Sequence, residues 1–182
     1  WVGHLNAVDS EKKFGFQSTI FRLAGDPEKS GVTQSEPFGN QNLFLVHTAL
    51  SDLEEEKYIH HERVMREGWQ ARSSEKTLSL TVGGVKVNLL EEEDGHKVVT
   101  RYPDGAKLEL TFKPTKPLVS FGDRGLSRKG ADPASVSWYW SYTRLQAKGT
   151  LFQNGEEIAV EGIAWMDHEI SSSQLGEDLA GW

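Results

Sequence analysis

Apolar and polar positions alternate with a period of two through much of this chain, the pattern of strands with one face buried. Between Thr77 and Phe112 the alternating runs are short and rich in Val, Leu and Thr, and Gly83-Gly84, Asp94-Gly95 and Asp104-Gly105 separate them. Each dipeptide suits a tight hairpin turn. The pattern predicts a meander of four strands, Thr77 to Val82, Val85 to Glu92, Lys97 to Tyr102 and Ala106 to Phe112, whose short connections force antiparallel pairing. Upstream, Phe14 to Leu23 and Leu43 to Leu50 read as strands divided by a Gly-, Pro-, Ser- and Asn-rich loop from Ala24 to Asn42, either a lid or a mobile connection. Ser51 to Gly68 carries two signals: Ser51 with Glu54 fits a helical capping box, whereas Tyr58 to Arg66 fits a strand. Pro114 and Pro117 then interrupt the ladder, and the loop Phe121 to Gly130 leads into a long final hairpin. About nine or ten strands with little helix predict an all-β fold, an antiparallel up-and-down barrel or strongly curved sheet.

The final hairpin holds the most informative residues. Asn154-Gly155 predicts a two-residue turn, and if Gln153 faces Glu156 the ladder places Ser141 opposite His168 and Tyr142 opposite Asp167. One face then collects Leu145, Leu151, Ile158, Val160, Ala164 and Met166 and ends in Ser141 and His168. The other collects Trp140, Tyr142, Arg144, Trp165, Asp167 and Glu169. An ionisable Asp167-His168-Glu169 trio closing an apolar strand marks a candidate site. An insertion in the ladder would exchange the faces.

Composition narrows the classes. The chain has 182 residues, enough for one sizeable core, and no run of about 20 apolar residues that a spanning helix needs. A net charge of -7 argues against a nucleic-acid partner. Without cysteine there is no disulfide framework, thiolate zinc site or Cys nucleophile, and the compartment stays open. Six Trp, eight Phe and four Tyr alongside 18 Gly suit a β domain with tight turns and large side chains facing a cavity.

Several ordered blocks, Gly3-His4-Leu5, Phe14-Gly15-Phe16-Gln17, Phe21-Arg22, His47 to Leu53, Glu62-Arg63, Lys116-Pro117, Gly122-Asp123 to Ser127, Tyr142 to Leu145, Gly149-Thr150-Leu151, Gly162 to Glu169 and Gly181-Trp182, span the chain. Together they resemble the hydroxyneurosporene synthase (carotenoid 1,2-hydratase) and AttH family. The resemblance implies a lipocalin-like barrel, with residues 1–182 as the N-terminal domain and a second β domain after Trp182. It also implies an elongated apolar ligand, isoprenoid or polyketide-like, since some relatives hydrate carotenoid double bonds and fungal ones guide cycloadditions of polyketide chains. No cofactor is implied, and a periplasmic or secreted location is compatible with it.

Hydrating an unactivated alkene requires an acid in a dry pocket and aromatic faces for the developing cation. Asp167 or His168 is the candidate proton donor and Tyr142 its hydrogen-bond partner; Trp140, Trp165, His47, Ser141 and Arg144 are candidate ligand contacts. Against this stands a structural role in which Asp167 accepts from Tyr142 or pairs with Arg144 and closes the barrel end. A non-enzymatic carrier and a docking domain remain as rivals. Adjacent residues of an uninterrupted strand point to opposite faces, so Asp167 and His168 line one cavity only if a bulge intervenes. His47 shares a face with Leu43, Leu45 and Ala49 and is a second candidate cavity histidine, although a satisfied core histidine fits as well. No spacing supports a metal site of His47, His168 and a carboxylate. The Gly122 to Gly130 loop lacks a P-loop ending and reads as a turn. The indoles and phenol of Trp138, Trp140, Trp165 and Tyr142 are expected to form one aromatic face that protein outside residues 1–182 covers.

Overall fold

The computed structural model describes residues 1–24, 42–90, 95–130 and 132–171, and these contain strands and turns but no helix. In chain order the strands are β1 (Val2–Ala7), β2 (Lys13–Leu23), β3 (Leu43–Asp52), β4 (Lys57–Arg66), β5 (Ala71–Ser73), β6 (Ser79–Val82) and β7 (Val85–Leu90). They continue with β8 (Gly95–Arg101), β9 (Lys107–Pro114), β10 (Val119–Ser120), β11 (Leu126–Arg128), β12 (Val136–Gln153) and β13 (Glu156–Ser171). The sheet runs β4-β3-β2-β1-β13-β12-β9-β8-β7-β6-β5, with β10 and β11 paired to β12 beyond the end of β9. All these pairings are antiparallel.

The sheet curls until it nearly closes into a barrel. Lys57 meets Asp104 at 3.1 Å, the Tyr102 hydroxyl donates to the Ala49 carbonyl at 3.2 Å, and the Ser18 and Thr100 hydroxyls share a buried hydrogen bond at 2.6 Å. Apolar alternation explains the curl. Phe14, Phe44, Leu108, Phe112, Leu145 and Leu151 all point inward and are fully buried, so the middle of the barrel is packed side chain. Each such side chain contributes roughly 1.5–3 kcal/mol on burial.

The meander forms as its sequence pattern predicts, with two turns as expected and one displaced. Val82 pairs with Val85 across Gly83-Gly84, both at positive φ. Tyr102 and Ala106 close a three-residue loop in which Gly105 has φ 92°. Gly95, however, pairs with Leu90 as the first residue of β8, so Asp94-Gly95 is not the turn centre, and residues 91–94 lie outside the described residues. The Ala24 to Asn42 loop falls almost wholly outside them as well. At Ser51 to Gly68 the strand signal prevails. Asp52, rather than Ser51, accepts the amides of Glu54 and Glu55 at 3.1 Å each, and this makes a turn, not a helix.

The final hairpin departs from its simple register. Gln153 does face Glu156 and the ladder runs evenly to Leu145 and Ala164, but a bulge lies between Tyr142 and Leu145. Thr143 and Arg144 together oppose Trp165, so beyond them Tyr142 faces Met166, Ser141 faces Asp167 and Trp140 faces His168. The expected Ser141–His168 and Tyr142–Asp167 pairs are therefore replaced. Trp140 and Tyr142 join the inner face with His168, and Ser141 moves to the outer face with Asp167.

Candidate functional site

Beyond β1, which begins opposite Trp165, the ends of β12 and β13 continue as an arm, flanked along β12 by the short strands β10 and β11, and both of its faces carry polar side chains. On the outer face three donors converge on one oxygen. Asp167 Oδ1 accepts from the Tyr139 hydroxyl at 3.0 Å, from the Trp165 indole Nε1 at 2.7 Å and from the Ser141 hydroxyl. Ser141 is completely buried, so its hydroxyl depends on this acceptor. Oδ2 of Asp167 makes none of these bonds.

The ring of Tyr139 is itself fixed. Phe121, from the chain after β10, stacks on it with centroids 4.3 Å apart, and Lys129 Nζ lies 5.0 Å above it. Lys129 also bonds Glu169 at 2.8 Å. Burial alone would raise Glu169, but its bonds to Lys129 and Ser137 bring it below the ordinary glutamate value. For Tyr139, burial and the Asp167 charge outweigh the hydrogen bond to Ser141 and raise the phenol. The site is thus an ordered array of the Asp167 carboxyl group, a phenol kept protonated and an ion pair, beside an indole that is 38% exposed.

The inner face is apolar and aromatic. His168 stacks on Trp140 with centroids 4.5 Å apart, and Tyr142 lies 5.7 Å from His96, which is buried. Burial lowers His168 below the ordinary histidine value; burial, then the nearby His168, lowers His96. Both imidazoles are consequently neutral near pH 7, and His168 is a poor proton donor there.

Among the expected site residues, Asp167, Ser141 and Trp165 come together, while His168, Trp140 and Tyr142 gather on the opposite face. Tyr142 is not the partner of Asp167; the bulge gives that role to Tyr139. Arg144 is exposed in the bulge, and the structure uses its carbonyl, which accepts from the Thr115 amide at 3.0 Å and hydroxyl at 3.1 Å. His47 does share a face with Leu43, Leu45 and Ala49, but that face is the outer one, because Phe44, Val46 and Thr48 point inward. It is therefore not a cavity histidine. It packs on Phe21 and lies 3.6 Å from Glu62. The expected aromatic face is likewise divided: Trp138, Trp140 and Tyr142 follow the inner side and Trp165 the outer. Within Gly122 to Gly130 only the first part is a turn, closed by mutual Asp123 and Leu126 backbone bonds, whereas Leu126–Arg128 forms β11 against β12. Sequence reasoning missed Tyr139, Phe121 and Lys129. Their signal was the Trp138-Tyr139-Trp140 run, unreadable without the bulge. Among the described residues no three His, Asp or Glu side chains converge as a metal site.

The AttH-like family model matches residues 1–182. The chain belongs to the AttH-like family. A crystal structure ascribed to AttH from Nitrosomonas europaea superposes with a TM-score of 0.82 at 29% identity, over 97% of this chain and 51% of that one. Kievitone hydratase from Nectria haematococca shares the fold with a TM-score of 0.65 at 14% identity, over 96% of this chain and 48% of that one. The chain thus spans about half the length of these AttH-like and hydratase structures. A search of curated proteins returns no match.

Proposed function

We propose that the outer face of the β12–β13 arm is one wall of a cleft that binds an elongated apolar alkene, isoprenoid or polyketide-like, and that Asp167 transfers the proton that hydrates it. The observation carrying this reading is the convergence of Tyr139, Ser141 and Trp165 on Oδ1, which holds the carboxyl group rigid and leaves Oδ2 free. A second lipocalin-like domain, implied by the family resemblance, would supply the opposite wall. The filled barrel interior supports a cleft over a cavity along the barrel axis.

In the proposed reaction, protonated Asp167 gives its Oδ2 proton to one alkene carbon, and the π pair forms the new C–H bond. The other carbon becomes a cation, and the exposed indole of Trp165 stabilises it. Water adds through its oxygen, and its surplus proton returns to Asp167 Oδ2, so the carboxylic acid is regenerated and the alkene leaves as an alcohol. Similarity to a fungal hydratase supports hydration among the chemistries open to such a site. The place of His168 on the other face, away from Tyr139, Ser141 and Trp165, favours Asp167 over His168 as the donor. Turnover of a polyene in D₂O by a chain containing both halves tests the reaction: mass spectrometry should show one carbon-bound deuterium per alcohol formed. An alcohol without carbon-bound deuterium would contradict protonation at carbon, and binding with no conversion of any polyene would favour a carrier.

A further inference from the structure

We propose a second binding site, remote from the β12–β13 arm, that takes the carboxylate of a small organic acid at the seam where the barrel fails to close. The inward face of edge strand β4 reads Ile59, His61, Arg63, Met65, so two cationic-type residues interrupt an otherwise apolar row. Their cross-strand neighbours are Thr48 and Val46, both buried. Opposite them stand the Gly83-Gly84 turn, Arg101, Tyr102 and Pro103, and together these groups line a half-open cavity of about 270 Å³. That lies just below the range of roughly 300–1,000 Å³ for drug-sized ligands, so it suits a small molecule.

The charges in and around the cavity are unbalanced. No Asp or Glu lines it. The nearest acids in sequence are engaged elsewhere: Glu62 on the outer face lies 3.6 Å from His47, and Asp104 holds Lys57 at 3.1 Å. Arg63 has no ion-pair partner among the described residues, and its Cδ lies 3.7 Å from where a Cβ on Gly83 would stand, which places the side chain at the cavity wall. The buried His61 Nε2 has no hydrogen-bond partner. A buried polar nitrogen without a partner is unfavourable, and a guanidinium binds a carboxylate in two-point fashion. Thr48 adds a hydroxyl beside them, and Val46, Tyr102 and Pro103 supply apolar surface for a short hydrocarbon body. Arg101 also lines the cavity, reaching it from the exposed face of β8, where its charge lowers Glu109 after that of Lys107 and Lys97. Arg63, on the inward face of β4 beside His61 and Thr48, is the main anchor of the site, and Arg101 adds positive charge at its wall.

Calorimetric titration of the protein with hexanoate tests this, with hexanol and inorganic phosphate as comparison probes. Hexanoate should bind saturably and more tightly than either. Arg63→Gln should weaken it at least tenfold and His61→Gln measurably, with unchanged thermal unfolding. Arg101→Gln should weaken it less than Arg63→Gln does, and Asp167→Asn should leave it unaltered, the latter separating this site from the proposed hydration. Equal binding of hexanol, equal or tighter binding of phosphate, equal losses in Arg63→Gln and Arg101→Gln, or no saturable binding would overturn the proposal.

Discussion

At the scale of single residues, Asp167 organises its surroundings as much as it offers chemistry. Truncation by Asp167→Ala would leave the wholly buried Ser141 hydroxyl without its acceptor, so unfolding stability should fall by about 1–3 kcal/mol. Urea denaturation measures the loss, and Ser141→Ala made in the same background should recover part of it, since the orphaned group is then gone. The histidines give a pH signature. Burial lowers both His96 and His168 in the folded state, so the unfolded chain binds more protons than the native one below about 6.5. Their contribution is complete above that pH and is lost as pH falls through the lowered native values. Stability should therefore drop between pH 7 and pH 5, and His168→Gln should flatten that slope. A second decline, below pH 4.5, belongs to Glu109 and Glu169, which the Lys107 and Lys129 contacts hold below the ordinary glutamate value.

At the scale of strands, the bulge at Thr143 and Arg144 decides which side chains meet. It exchanges the faces of β12 but not of β13, so Asp167 and His168 remain apart while their partners change. Gly149 shows how close the backbones run beyond it: a Cβ there would stand 1.8 Å from the Glu109 carbonyl oxygen on β9. Gly149→Ala should destabilise the fold by about 1–3 kcal/mol or more, read from the urea midpoint; an unchanged midpoint would mean that the strands separate easily. These details explain what was legible in the sequence. Period-two alternation, Gly83-Gly84 and Asn154-Gly155 carried the strands and most of the ladder, because turn chemistry and burial are local. The bulge is not local: Thr143 and Arg144 carry no glycine or proline to announce an extra residue, and nothing near Tyr139 shows that Phe121 and Lys129 return to cover it. The polar trio at the end of β13 was legible in the sequence, whereas the pairing of Asp167 with Tyr139 was not.

At the scale of the molecule, a filled and nearly closed barrel projects a polar, aromatic arm whose outer face is open on one side. The chain spans about half the length of the AttH-like and hydratase structures it matches, which fits the proposal that a second domain completes the cleft. The central claim is that proton transfer belongs to Asp167 and its three donors, with His168 held neutral behind the sheet. The measurement that tests it most directly is kcat/KM for polyene hydration in Asp167→Asn and His168→Gln, each made in a chain containing both halves. The account predicts a loss of at least about 100-fold for Asp167→Asn, in keeping with removal of a general acid, and a change within about fivefold for His168→Gln. A large loss in His168→Gln with Asp167→Asn near full activity would contradict it.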